Sequence, residues 1–226
     1  MIRQIVVLAG GLATRLHPIT KTVPKSMIPV VGRPFIAHQL EFFKKNRLEE
    51  VVMCVGFLHE QILDYVGNGS QFGLKVVYSI EDEKLDTGGA IKHAYRFLDD
   101  RFFVIYGDSY LNCDYQKVAT FQQQKNRPGL MTIFHNRNEI EPSRIIIEGD
   151  LVKKYQKDPP PKGAEYAEYG LNILPKSVVN QAPRIVFPIS RYFDILTSSQ
   201  ELLAYEVEER FYEIGCQEGL NSLEEK

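Results

Sequence analysis

Three short runs, residues 4–9, 51–55 and 102–106, are apolar at nearly every position rather than at alternate ones. A strand with one face in water alternates, so continuous runs of this length mark strands covered on both faces. The segments between them read differently. Residues 35–45 carry Phe35, Ile36, Leu40 and Phe43 at helical spacing, 59–66 and 89–98 also read as helices, and 75–80 as a further strand. Strand and helix in alternation predict an α/β chain whose parallel sheet is covered on both faces.

The second half changes character. Strands are predicted at 130–135, 144–147, 151–155, 167–174, 202–207 and 211–214, with Gly149-Asp150 as a turn and Asp158 to Pro161 as a stiff connection. These read as antiparallel additions to the same sheet, so residues 1–226 are expected to form a single domain.

Composition excludes several classes of function. The chain has 27 Lys and Arg against 29 Asp and Glu, which gives no field suited to nucleic acid or an anionic membrane. No apolar run approaches the roughly 20 residues that span a bilayer. The three cysteines, Cys54, Cys113 and Cys216, are widely spaced and contain no C-x-x-C pair, which argues against a disulfide framework or zinc site and fits the cytoplasm. Phosphate binding would have to rest on a few placed cations.

The chemistry concentrates at strand ends. After the first strand come Leu8, Ala9, Gly10, Gly11, Leu12, Ala13, Thr14 and Arg15. A strand running into paired glycines brings bare backbone N–H groups to the carboxyl edge of a parallel sheet, where such sheets bind ligands. Gly10-Gly11 alone reads equally as a tight turn, and neither the Walker loop nor the dinucleotide fingerprint is present. The loop beyond is stiffened by Pro18, Pro24 and Pro29, and it carries Lys25. Arg15 offers a planar fork to phosphate oxygens and Lys25 a point charge. Asp108 follows the strand 102–106, where a carboxylate can ligate Mg²⁺ together with substrate phosphates or cap the next turn.

Residues 8–30 together resemble the signature of the sugar-1-phosphate nucleotidyltransferases, the nucleotide-sugar pyrophosphorylases, at nearly every fixed position, with Ala13 where the family usually has glycine. The resemblance implies a Rossmann-like nucleotidyltransferase fold, a three-layer α/β/α sandwich around a mixed, mostly parallel sheet, and a nucleotide held by Leu8, Ala9, Gly10, Gly11, Thr14 and Arg15. Arg15 and Lys25 would act on the reacting phosphates. Thr87 and Gly88, in a segment similar to L-G-T-G-G-A with Asp86 for the first glycine, would contact base and ribose.

Further likenesses extend to Leu220. Asp108 stands where the family's metal carboxylate stands, and Glu213 takes the second metal position, with Glu for the usual Asp. Lys157 resembles the lysine of F-x-E-K-P that holds the sugar phosphate, with Gln156 for its glutamate. Glu168 and Gly170 resemble the sugar-contacting N-A-G, with Glu168 for asparagine. Residues 1–115 would then be the nucleotide half and 116–226 the sugar-phosphate half. The cofactor implied is Mg²⁺, and the substrates are a nucleoside triphosphate and a sugar 1-phosphate, without nucleic acid or membrane as partner. A homo-oligomer is compatible with this composition.

Within the family the chain looks most like heptose or mannose 1-phosphate guanylyltransferases. A cytidylyl-, thymidylyl- or uridylyltransferase, an enzyme using another small phosphate such as phosphocholine, and a non-catalytic nucleotide-sugar-binding subunit are the alternatives. Retention of Arg15, Lys25, Asp108 and Glu213 speaks against the last.

Overall fold

The computed structural model of the chain describes residues 1–11, 16–136, 142–182, 184–214 and 219. Its strands are β1 (Gln4–Leu8), β2 (Pro29–Val30), β3 (Arg33–Pro34), β4 (Glu50–Val55), β5 (Lys75–Ile80), β6 (Arg101–Tyr106) and β7 (Ser109–Tyr110), then β8 (Gly129–His135), β9 (Ile145–Glu148), β10 (Leu151–Tyr155), β11 (Tyr166–Pro175), β12 (Leu202–Glu206) and β13 (Tyr212–Glu213). The helices are α1 (Phe35–Lys45), α2 (His59–Val66), α3 (Asp86–His93), α4 (Tyr115–Lys125), α5 (Lys176–Val179) and α6 (Ser190–Ser198).

Nine strands make one mixed sheet in the order β5-β4-β1-β6-β11-β8-β12-β10-β9. The expected first half holds: β5, β4, β1 and β6 are mutually parallel. The second half differs from the antiparallel expectation, because β12 joins β8 in parallel. The chain leaves β11, which is antiparallel to β8, passes through α5 and α6, and enters β12 on the far side of β8, so β12 runs against β11 and along β8. Within this sheet, antiparallel pairing joins β11 to β6, β8 and β9, and β10 to β12 and β9. The Gly149-Asp150 turn joins β9 to β10, with Leu151 opposite Glu148.

Neighbouring residues of β1 serve two separate cores, as the continuous apolar runs require. Ile5 and Val7 pack with Ile36, Leu40 and Phe43 of α1, Ile62 and Val66 of α2, and Tyr115 and Val118 of α4. Val6 packs with Ala90 and Ile91 of α3, Val178 and Val179 of α5, and Tyr192, Phe193 and Leu196 of α6. Both α4 and α6 are absent from the sequence-based expectation. In α4 most positions are polar, and the signal that starts it is local: Asp114 accepts from the amides of Gln116 (2.9 Å) and Lys117 (3.1 Å). The helix expected at 89–98 begins earlier, at Asp86, and ends at His93 before a 3-10 turn. The strand expected at 211–214 shortens to β13, which pairs with β7 outside the main sheet.

Phe103 of β6 is fully buried, and its ring centroid lies 5.6 Å from that of Tyr115. Phe103→Ala should cost ~3–5 kcal/mol of unfolding free energy. Urea denaturation checks this, and a loss under ~1 kcal/mol would mean that the core around β6 repacks freely.

Candidate functional site

Strands β1 and β6 lie side by side with Leu8 opposite Tyr106, so Gly10-Gly11 and Gly107-Asp108 leave the sheet as neighbours at its carboxyl edge. The Gly107 amide donates to Leu8 O at 2.9 Å, and the Ala9 amide to Cys54 O at 2.8 Å. A side chain at Gly107 would start 2.9 Å from Leu8 O and 3.0 Å from Ala9 Cβ, so this close approach requires glycine. From α1, the buried Gln39 donates to Tyr106 O (3.1 Å) and Ser109 O (2.8 Å), which pins both ends of the segment carrying Asp108.

Lys25 sits on a 3-10 turn, Lys25–Met27, within the proline-stiffened loop. Leu16, Ile28, Val30 and Phe35 pack with Ile214 into a small third apolar cluster, which anchors this loop to the chain next to Glu213. The ammonium of Lys25 forms an ion pair with Asp108 Oδ2. Glu213 pairs with Ser109 across β13 and β7, and the Ile214 amide donates to Asp108 O at 2.9 Å. Both carboxylates therefore belong to one corner of the site. Among the described residues no group of three or more His, Cys, Asp or Glu could hold a metal ion by itself. Two carboxylates suit a small hard dication that takes its remaining oxygens from phosphate and water.

Two cavities meet at this corner. The first is lined by Leu8, Ala9, Gly10, Gly11, Lys25, Ser26, Glu81 and Lys84. The second is lined by Arg144, Tyr155, Lys157, Glu168, Gly170 and Glu213. They share Asp86, Thr87, Tyr106 and Asp108. The folding of the chain thus brings the expected nucleotide residues to one cavity and the expected sugar-phosphate residues to the other. Gly88 lines neither: its amide donates to Phe187 O at 2.9 Å, and a Cβ there would lie 2.5 Å from the Phe187 ring. Thr14 and Arg15 lie outside the described residues.

Asp86 and Thr87 form a fixed partition. Asp86 has φ +62°, the left-handed region where glycine is favoured, and its Oδ1 accepts from the Thr87 amide at 2.7 Å. Thr87 Oγ1 accepts in turn from the Ile189 amide at 2.8 Å. In the second cavity Glu168 accepts from Tyr106 Oη (3.2 Å), Tyr155 Oη (3.2 Å) and Asn172 Nδ2 (2.9 Å). Burial, with the Glu168 carboxylate next in weight, pushes the Tyr106 hydroxyl well above its ordinary pKa, so it remains a donor. Gly170 has φ +105° within the irregular stretch of β11 between Glu168 and Asn172, a conformation that disfavours any side chain.

Sequence reasoning missed four lining or supporting residues. Glu81 and Arg144 flank strands and carried no motif, although Glu81 follows β5 at the carboxyl edge where ligands bind. Gln39 was detectable as a polar residue on the apolar face of α1. Ser26 Oγ is buried and has no hydrogen-bond partner among the described residues, and Ser26 was passed over inside the lysine motif.

Residues 4–188 match the family model described as nucleotidyl transferase. D-glycero-alpha-D-manno-heptose 1-phosphate guanylyltransferase of Campylobacter jejuni is 39% identical over 115 residues, which is 51% of this chain and 52% of that protein. Mannose-1-phosphate guanyltransferase of Debaryomyces hansenii is 29% identical over 92% of this chain and 60% of its own length. The chain thus spans about half to three-fifths of the curated relatives it matches. HddC from Yersinia pseudotuberculosis, solved complexed with GMP-PN, superimposes with a TM-score of 0.83 at 26% identity, over 99% of each chain. A glucose-1-phosphate thymidylyltransferase structure from Bacillus anthracis (described as putative) reaches a TM-score of 0.85 at 20% identity, covering 98% of this chain and 94% of that one, a likeness of fold. The fold is the Rossmann-like one of nucleotidyltransferases.

Burial raises the pKa of the Glu81 carboxyl above its ordinary 4.5, against the lowering effects of the Leu85 amide and His93. Just above that ordinary value the folded state then binds more protons than the unfolded, and stability falls as pH rises through the window. Glu81→Gln should melt higher than the parent near neutral pH and lose that advantage at about pH 4. Thermal melts at the two pH values check it; an equal difference at both would refute burial as the cause.

Proposed function

Because the chain belongs to the nucleotidyl transferase family, we propose that it joins a nucleoside triphosphate to a sugar 1-phosphate and releases pyrophosphate. The observation that carries the reading is the pair of cavities meeting at Asp108, one with the glycine turn and Lys25, the other with Lys157. Residues 1–226 act as a single three-layer domain, the nucleotide in the half 1–115 and the acceptor mainly in 116–226. Nucleoside triphosphates as substrates imply the cytoplasm. Among the described residues no helix is long and apolar enough to cross a membrane.

An oxygen of the acceptor phosphate attacks the α-phosphorus. The new P–O bond forms as the bond to the β-phosphate oxygen breaks, and pyrophosphate leaves with that electron pair. A phosphate monoester has its second pKa near ~6 and is already nucleophilic at neutral pH, so the enzyme needs no base. The obstacle is the approach of two polyanions. Lys25 faces the triphosphate at the junction, Ser26 Oγ offers a phosphate oxygen a donor, and Lys157 with Arg144 holds the acceptor phosphate. Arg15 adds a planar fork from the loop before Lys25. Asp108 and Glu213 would hold Mg²⁺, which when bound neutralises phosphate charge and polarises the oxygens it touches. Fixed charges in a partly dehydrated cleft stabilise the in-line transition state.

We read the triphosphate as GTP and the acceptor as a heptose or mannose 1-phosphate. The curated relatives described above carry guanylyltransferase names. The chemistry also fits: the Glu81 carboxylate on the wall of the first cavity is acceptor-only when ionised, as the N1–H and exocyclic amine of guanine require.

Four nucleoside triphosphates crossed with a panel of sugar 1-phosphates, read by pyrophosphate release with Mg²⁺, test the reaction; no release from any pair would end this reading. Asp108→Asn should keep the fold and lower turnover by roughly 10²-fold or more, and near-normal turnover would remove Asp108 from the metal site. Lys157→Ala should raise KM for the sugar phosphate by roughly ten- to a hundredfold and nearly spare KM for the triphosphate. Saturation kinetics in each substrate decide it, and the reverse pattern would move Lys157 out of the acceptor cavity.

A further inference from the structure

Asp86 holds a carboxylate at a backbone position that favours glycine, and it lines both cavities. A φ of +62° is a conformation that an L side chain resists and glycine adopts freely. Asp86 is the first residue of α3, and glycine serves at a helix start at little cost relative to an acid. Among the described residues only Oδ1 is engaged, by Thr87 N (2.7 Å) and Thr87 Oγ1 (3.4 Å), which fixes the carboxylate and leaves Oδ2 as an acceptor.

The proposed GTP reading sets what Oδ2 meets, and the inference rests on that reading. A fixed carboxylate repels phosphates, so the group of the nucleotide beside it is an uncharged donor. Position selects which one. The amide of Leu85, next to Asp86, donates to Glu81 Oε2 at 3.2 Å, so Asp86 stands one residue along from the carboxylate assigned to the base. It also shares both cavities with Asp108, at the phosphate junction. Between base and α-phosphate a nucleotide has only its ribose. We propose that Asp86 is a specificity-determining residue that accepts a hydrogen bond from a ribose hydroxyl and selects ribonucleotides over deoxyribonucleotides.

A site built to bond a hydroxyl discriminates strongly against the analogue that lacks it, because its acceptor is then left unpaired. Calorimetric titration of the protein in Mg²⁺ with GTP, 2′-deoxy-GTP and 3′-deoxy-GTP reads this without turnover. The parent should bind GTP at least roughly tenfold more tightly than one of the deoxy analogues. Asp86→Gly, which relieves the left-handed strain and should fold normally, should reduce that ratio to about twofold or less. Asp86→Asn keeps the bond from Thr87 but not the anionic acceptor, and it should fall between. Equal binding of all three by the parent overturns the role of Asp86 while leaving the GTP reading intact. A ratio unchanged in Asp86→Gly also overturns it. No binding of any triphosphate overturns both.

Discussion

The ion pair of Lys25 with Asp108 joins segments 83 residues apart, and the rest of the site is arranged around it. Each partner arrives by its own route. Asp108 is delivered by β6, held in register with β1, and fixed by the Gln39 amide on both sides of its turn. Lys25 is delivered by a 3-10 turn that Ile28, Val30 and Phe35 seat against Ile214. That cluster is small, yet it couples the loop to the strand that brings Glu213 beside Asp108. One cation and two carboxylates are thus held near each other by the fold. Preorganised charge of this kind costs no rearrangement at the moment of reaction.

The sheet explains why the site lies where it does. Parallel strands β4, β1 and β6 end together, so the loops after them converge, and two covered faces leave the carboxyl edge as the open place. The antiparallel β11 then supplies the second cavity from its interior rather than from its end. Its irregular stretch at Glu168 to Asn172 turns a continuous strand into a cavity wall, with Gly170 taking the backbone conformation that other residues avoid. Glu168, bonded by two tyrosines and an asparagine, is a rigid part of that wall.

Much of this was legible in the sequence because the features are local. Continuous apolar runs marked the parallel strands, the glycine turn, Lys25 and Asp108 stood at or after strand ends, and Lys157 was singled out only by its likeness to a family motif. What escaped depends on distant pairing. The parallel union of β12 with β8 is decided by connections through α5 and α6, which no short window contains. Gly88 read as a ligand contact because it stands in a glycine-rich motif, whereas the nearness of Phe187, almost a hundred residues on, already accounts for it. Glu81 lacked any motif, and only the position of β5 beside β4 brings it to the glycine turn.

The shared partition of Asp86, Thr87, Tyr106 and Asp108 has a kinetic consequence. On the proposed reading, the product is one molecule whose two ends occupy the two cavities at once. Once one end is bound, the other is present at the high effective concentration that a short tether creates. Departure then requires both ends to let go together, or one after the other with frequent rebinding. Such a molecule would be retained longer than either substrate, so the step that empties the cleft, rather than the chemistry, would govern how fast the enzyme cycles.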